Sequence, residues 1–311
     1  MRHSFLRILL ALVVVNDMHL EQMNVKTVFL HGELKEMIVM SQLEGYVNPE
    51  KPDHVCHLKK SLYELKQAPR QWYLRFDRFM AENNFQRCPF DCCVYHKDVE
   101  DGSKIYLLLY VDDMLIACKH VDQIDVLKQQ LRGSFEMKDL GEAKKILGVE
   151  LISNRKDGTL VLSQQRYIKK VLERFKMGRS KPILTPLPAH FRLSSQQCPK
   201  TDADRAEISS IPYSSAVGCL MYAIVLTRPN MSYAVSVVSR YMADPGKEHW
   251  KAMVWILRYL NGTMNYGLTY KADKGKEVSV EGFVDSDYAG DLDKRRSLTG
   301  YLFKLNGFTI N

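Results

Sequence analysis

An α+β fold is predicted for this 311-residue chain from three observations. Several segments carry apolar residues at helical spacing on one side. Others are short apolar runs bounded by turn-forming residues, as strands are. Two such runs, 105–109 and 115–117, flank Tyr110-Val111-Asp112-Asp113-Met114 and read as a β-hairpin with two carboxylates at its tip.

Residues 1–16 read as a helix, with Leu6, Ile8, Leu9, Leu12 and Val13 on one side. Residues 20–30 read as a strand or strand-turn broken by His31-Gly32, and 36–40 as a short β segment. The run 58–65 leads to Pro69, which suits the first turn of a helix; Trp72, Phe76, Phe79 and Met80 then share one face. After the hairpin, Ile124, Leu127 and Leu131 mark an amphipathic helix over 121–135. Two short strands, 146–152 and 160–163, are separated by the turn-like Asn154-Arg155-Lys156-Asp157-Gly158, and a helix covers about 164–176. Residues 178–212 hold Pro182, Pro186, Pro188, Pro199 and Pro212 among many Ser and Lys, and read as a linker. Helices follow at about 213–226, 230–242 and 246–261, and strands return at 278–284 and 298–305. The chain holds no internal repeat.

The length suffices for two or three domains, and contents of 46% apolar and 26% charged residues are ordinary for a globular protein. A net charge of +8 suits a polyanionic partner without proving one. Seven cysteines, an odd number at scattered positions, argue against a disulfide framework and for a reducing compartment. Cys88-x-x-x-Cys92-Cys93 and His54-x-Cys56-His57 lack the paired spacing of a zinc module. Met1-Arg2-His3 followed by the apolar stretch 6–15 imitates a signal peptide. That stretch is too short to span a bilayer, and Asn16-Asp17-Met18-His19 offers no small-x-small cleavage pattern. A buried core helix is the better reading, so the chain is expected to be intracellular and not secreted, with no membrane partner.

The acid pair has two readings. Asp at a hairpin tip is ordinary turn chemistry, because Asp tolerates the left-handed region and bonds its own backbone. Alternatively, two adjacent carboxylates on a rigid turn are costly unless a cation sits there. Hard oxygen ligands suit Mg²⁺, which phosphoryl-transfer sites hold with one or two carboxylates plus substrate phosphates.

The surrounding blocks resemble the Pol polyprotein of copia-type LTR retrotransposons. The first are Gln22-Met23-Asn24-Val25-Lys26-Thr27-Val28-Phe29-Leu30-His31-Gly32-Glu33-Leu34 and Leu58-Lys59-Lys60-Ser61-Leu62-Tyr63-Glu64-Leu65-Lys66-Gln67-Ala68-Pro69-Arg70-Gln71-Trp72. Then come Tyr110 to Met114, Phe135-Glu136-Met137-Lys138-Asp139-Leu140-Gly141 and Leu147-Gly148-Val149-Glu150. The later part adds Thr227-Arg228-Pro229-Asn230, His249-Trp250, Leu257-Arg258-Tyr259-Leu260-Asn261-Gly262-Thr263 and Asp285-Ser286-Asp287-Tyr288-Ala289-Gly290-Asp291.

The resemblance implies a right-hand polymerase palm with partial fingers and thumb over 1–176, and a linker at 177–212. A helical tether over 213–276 and the truncated start of an RNase H-like mixed sheet over 277–311 complete it. It implies an RNA-directed DNA polymerase using two Mg²⁺ ions, an RNA template, a DNA primer and deoxynucleoside triphosphates. Other segments of the Pol polyprotein are implied partners, and a virus-like particle in the cytoplasm, or the nucleus, is the implied location. Asp112 and Asp113 match the hairpin acids that hold metal, and Asn24 stands where the family has the third metal-binding Asp. Phe29 matches the side chain that excludes a 2′ hydroxyl, although a plain core Phe reads equally well. Gln67, Arg70 and Tyr110 fall near the nucleotide and template, with a solvated helix face as the alternative for Arg70. Leu147, Gly148 and Val149 resemble the hairpin that grips the primer end, an ordinary sheet edge being the alternative. Asp285 matches the first metal-binding acid of RNase H.

Three departures from the family pattern predict an impaired copy. Asn24 replaces a bridging carboxylate by a neutral amide. Glu64 replaces the Gly of a Leu-Tyr-Gly-Leu-Lys run, where Gly would allow close backbone approach. The chain begins after the expected finger strands and stops before the remaining RNase H acids, so RNase H activity is not expected. A non-catalytic nucleic-acid-binding relic is the alternative function.

Overall fold

The computed structural model describes residues 2–272 and 279–311. Met1, the expected strand start at Val278 and the expected tether junction at 276–277 lie outside the described residues. The backbone divides into two compact units, one holding Asn16–Ala143 and residues up to Leu9, the other holding Leu10–Val15 and Lys144–Asn311. Helix α1 (His3–Val15) runs across that division, with Leu6, Leu9, Leu10, Ala11, Val13 and Val14 buried.

In the first unit, β1 (His19–Val25) precedes a small ribbon of β2 (Val39–Ser41) and β3 (Val55–His57). Then come α2 (Ala68–Glu82), β4 (Gln86–Arg87), β5 (Val94–Asp98), β6 (Lys104–Tyr110), β7 (Asp113–Cys118), α3 (Val121–Ser134) and β8 (Met137–Glu142). Six of these strands form one antiparallel sheet in the order β4-β5-β6-β7-β1-β8. Strand alternation sends Met23 and Val25, Ile105, Leu107 and Leu109, and Met114 and Ile116 to one face. The apolar stripes of α2 (Trp72, Phe76, Phe79, Met80) and α3 (Ile124, Leu127, Leu131) close over that face. The expected strand over 20–30 stops at Val25, because Thr27 turns to φ 47° and a 3₁₀ turn follows at Val28–His31.

β8 was not expected, being polar and at the sheet edge. It is held by Lys128 of α3, whose buried ammonium meets Glu21 of β1 and both oxygens of Asp139 of β8, at 2.9 and 3.1 Å. Arg132 adds a 2.6 Å bond to Asp139. Burial pulls the Lys128 pKa down, but the two carboxylates outweigh it and leave it above the usual lysine value.

In the second unit, β9 (Lys145–Ile146), β10 (Val149–Asn154), β11 (Thr159–Ser163) and β12 (Leu268–Lys271) form a four-stranded antiparallel sheet. Helices α4 (Gln165–Arg174), α6 (Tyr213–Leu226), α7 (Ser232–Ser239) and α8 (Lys247–Gly262) share a second core. The expected segment 1–176 therefore straddles the division of the backbone. The stretch read as a linker is not a free one. It carries α5 (Asp202–Ser209), started by a reciprocal Thr201–Asp204 capping box, and Ile183, Leu187, Phe191 and Leu193 pack into the second core.

Arg228 and His249 have structural roles. Buried Arg228 donates to the Thr263 and Met264 carbonyls past the end of α8, at 2.5 and 3.2 Å, where a cation complements the helix dipole. Buried His249 stacks on Tyr241 and accepts the Gly246 N–H through Nδ1 at 2.8 Å, so its Nε2 carries the proton donated to the Ser194 carbonyl.

The expected mixed sheet at the C-terminus is corrected to an antiparallel one. β13 (Val280–Ser286), β14 (Thr299–Leu305) and β15 (Phe308–Thr309) pair in sequence order. The connection 287–298 folds back on itself, with Asp287 bonded to Leu298 through both its backbone N–H and its carboxylate, rather than crossing over by a helix as parallel strands require. No single helix among the described residues is long and apolar enough to cross a membrane.

Two outcomes follow. Lys128→Ala leaves Glu21 without its ammonium and Asp139 with Arg132 alone, and should cost about 3 kcal/mol, read by urea unfolding of the full chain. A substitution costing under about 1 kcal/mol would show that the network contributes little. Burial lowers the His249 pKa below its ordinary 6.5, so the unfolded chain binds the proton first and stability should decline as pH falls through that value. His249→Asn, which keeps an acceptor near Nδ1, should flatten that decline in thermal unfolding.

Candidate active site

The acid turn is built from register. β6 and β7 pair Tyr110 with Asp113, leaving Val111 and Asp112 at the tip of a two-residue hairpin. Val111 adopts φ 56°, a region that two-residue turns normally give to Gly and that costs a β-branched residue roughly 1–2 kcal/mol. The indole N–H of Trp72 donates to the Val111 carbonyl at 2.9 Å, and the Val25 N–H donates to the Asp112 carbonyl at 2.8 Å.

β1 lies antiparallel to β7, with Asn24 directly across from Asp113. The period of two places Gln22 on the same face as Asn24. The Asn24 amide donates to Asp112 Oδ2 at 2.8 Å and to Asp113 Oδ1 at 3.2 Å, and Gln22 Nε2 donates to Asp113 Oδ1 at 3.3 Å. Both acids are half-buried, and among the described residues neither forms an ion pair. Two carboxylates thus face amide donors alone, leaving negative charge that a divalent cation would balance. The donor set fits one such ion between Asp112 and Asp113. It fits a second less well, because Asn24 offers one neutral oxygen where a bridging ligand is needed. In this arrangement the Asn24 amide occupies, toward both acids, the electrostatic place of a cation.

The other expected residues of this unit lie on the flanking segments. Phe29 sits in the 3₁₀ turn after β1, half-buried and edge-on to Tyr63 at 5.0 Å. It packs against the sheet core, in keeping with its alternative reading as a core residue. Gly32 lets this turn approach α2, since a Cβ there would come within 2.9 Å of the Gln71 Cβ and 3.2 Å of the Trp72 nitrogen. Gln67 is the residue before α2, Arg70 is exposed in its first turn, and Tyr110 is 40% exposed beside the acid turn. His31 lies among Trp72 and Phe135, and burial there lowers its pKa.

Two expected sites belong to the second unit. Leu147 and Gly148, at φ 49° and 72°, form a two-residue turn between β9 and β10, so the strand expected over 146–152 is interrupted there. The Tyr222 hydroxyl donates to the Leu147 carbonyl, and a Cβ at Gly148 would lie 2.6 Å from that hydroxyl, so a side chain there would have to displace it. Asp285 is exposed in β13, across from Gly300.

Sequence reasoning missed Gln22, the Val25 bond and the indole of Trp72. Gln22 was detectable as the same-face neighbour two residues before Asn24. The Trp72 bond spans 39 positions and had no local signal.

The site is thus an acid hairpin beside the polar face of β1, on an antiparallel sheet backed by two helices. Residues 1–189 match the family model described as reverse transcriptase (RNA-dependent DNA polymerase), and the chain belongs to that family. It is 49% identical over 98% of its length to the retrovirus-related Pol polyprotein from transposon TNT 1-94 of Nicotiana tabacum, of which that match covers 23%. It is 36% identical over its whole length to the Pol polyprotein from transposon RE1 of Arabidopsis thaliana, covering 20% of that protein. A putative transposon Ty5-1 protein of Saccharomyces cerevisiae is 32% identical over 93% of the chain and 90% of its own length. These relatives make the chain a copia-type Pol segment, spanning under a quarter of the length of the two plant polyproteins.

Glu64 bears on the family pattern. It is exposed at φ 71°, the region where Gly carries no steric penalty. Glu64→Gly should therefore stabilise the chain by about 1 kcal/mol in urea unfolding. An unchanged or lower stability would mean that the Glu64 side chain makes compensating contacts.

Proposed function

We propose that this chain is the polymerase-bearing segment of a copia-type Pol polyprotein, with a nucleotidyl-transfer site impaired by Asn24. The observation that carries the reading is the meeting of Asn24, Asp112 and Asp113, which are distant in sequence but bonded at 2.8 and 3.2 Å. In this reading residues 1–176 hold the palm with parts of fingers and thumb, 213–276 the tether, and 277–311 the start of an RNase H domain containing Asp285.

Asp112 and Asp113 would hold Mg²⁺. When bound, the ions stabilise charge on the attacking 3′ oxygen and on the leaving pyrophosphate. The chain's own part is positioning. β1 and β7 fix the acids side by side, Phe29 closes the sugar pocket, and Gln67, Arg70 and Tyr110 border the nucleotide and template. Leu147, Gly148 and Val149 would support the primer end. Asn24 weakens this site because it removes a charge where two cations and a triphosphate meet. One unit charge at 4 Å in a partly solvated site is worth about 4 kcal/mol, which is about a thousandfold in rate.

A second reading, non-catalytic binding of nucleic acid, is favoured by the outer face of α4. Lys169, Lys170 and Arg174 are exposed there and, among the described residues, form no ion pair. Binding of this kind would weaken linearly with log salt.

Primer extension on an RNA template, with Mg²⁺ and with Mn²⁺, decides between them. We expect the unmodified chain to be silent and Asn24→Asp, alone or with Glu64→Gly, to extend the primer. Extension by the unmodified chain would overturn the impairment. Silence of all three folded chains, with salt-sensitive binding of the template–primer duplex, would favour the second reading.

A further inference from the structure

We infer that Trp72 is the positioning residue of the acid turn. Its indole N–H holds the Val111 carbonyl, keeps the turn in its left-handed conformation, and thereby aims Asp112 and Asp113 at β1. The inference rests on the polymerase reading for what the turn is aimed at, but not for the hold itself.

Three observations carry it. First, Val111 is a poor residue for its place. A β-branched side chain at φ 56° is unfavourable, so the turn needs an outside contact to stay there. Second, the contact is specific. Trp72 is 2% exposed, and its ring is packed by Phe76 at 5.5 Å and Phe135 at 5.2 Å, leaving its one polar atom directed at the Val111 carbonyl at 2.9 Å. Tryptophan brings both a large buried ring and an N–H that can only donate. Third, the other backbone carbonyl of the tip is anchored on the far side, by the Val25 N–H to the Asp112 carbonyl. The two carbonyls of the tip are therefore each held by a different element, α2 and β1, and the side chains between them have little freedom.

The placement of Trp72 is itself controlled. Gly32 allows the 3₁₀ turn after β1 to sit against Gln71 and Trp72, an added Cβ coming 2.9 Å from the Gln71 Cβ and 3.2 Å from the Trp72 nitrogen. The strand that carries Asn24 and the helix that carries Trp72 are thus locked together, and the acid turn is clamped between them.

The test compares Trp72→Phe with Phe76→Leu, a packing control from the same cluster, each alone and with Val111→Gly. Amide hydrogen exchange reads the turn without any metal. If Trp72 acts through Val111, Trp72→Phe should speed exchange of the Val25 and Asp113 amides about five- to tenfold, the worth of one hydrogen bond, and leave Ile105 and Cys118 unchanged. With Gly at 111 the turn needs no hold, and the effect of Trp72→Phe should shrink to less than twofold. Exchange that rises evenly across the sheet, as expected of Phe76→Leu, or an equal effect in both backgrounds, overturns the inference. Mn²⁺ affinity, measured by electron paramagnetic resonance in the Asn24→Asp chain, reads the aim of the acids. Trp72→Phe should weaken it about fivefold, and Phe76→Leu should not. An unchanged affinity with a loosened turn overturns the aiming role. Absence of Mn²⁺ binding in every chain rejects the polymerase reading and leaves the exchange pattern to decide the hold.

Discussion

The pairing of β1 with β7 is the constraint on which this site depends. One register, Asn24 across from Asp113, brings a residue near the start of the chain against two that follow almost ninety positions later. A slip of one residue would send Asn24 and Gln22 to the helix-covered face and replace them with Met23 and Val25. The register is protected by that apolar face. Met23 and Val25 share a core with Met114 and Ile116, so moving the polar side of β1 means exposing its buried side.

Neighbouring features reinforce the same register from outside the strand pair. Lys128 ties β1 to β8 through Glu21 and Asp139, so β1 is bounded by a strand on each side. The price is a buried ammonium, tolerable because two carboxylates surround it. The acid turn is secured separately, by backbone acceptors rather than by its own side chains. That separation matters chemically, because the backbones at Asp112 and Asp113 stay fixed whatever their carboxylates bind, which here is the amides of Asn24 and Gln22.

The sequence disclosed elements where local pattern and tertiary role agree. α2, α3, α6 and the β6–β7 hairpin lie close to where the apolar pattern placed them, because each helix buries one apolar face and the hairpin strands are continuous apolar runs buried on both faces. β8 and the segment 178–212 escaped notice for opposite reasons. Met137-Lys138-Asp139-Leu140-Gly141-Glu142 is stabilised by side-chain charges from another element, which no local pattern reports. The proline-rich segment looked like a linker by composition, yet scattered apolar residues anchor it and a capping box starts a helix within it. Within the candidate site, the acid pair was legible as a hairpin tip, whereas its meeting with Asn24 came only from family resemblance. The strain at Val111 and Glu64 could not be read from composition, since φ is set by the chain on either side.

In the proposed reading, Asn24 weakens the site while leaving the turn well formed. A cluster of three carboxylates in a half-buried position would repel itself until cations arrived, so its apo form would carry an electrostatic penalty. With an amide in the third position, both acids gain a donor and the cluster carries one negative charge fewer in the absence of metal. The same substitution therefore acts in two directions. It relieves the metal-free fold and removes the charge that would draw the second ion. A chain released from selection on catalysis could keep this geometry, because the contacts that hold β1, β7 and the turn together do not depend on the residue at position 24 being an acid. Geometry and activity are separable here for that reason. The hairpin, the register and the indole bond fix where Asn24 meets the two acids, and in the proposed reading the neutral side chain at position 24 is what limits the chemistry there.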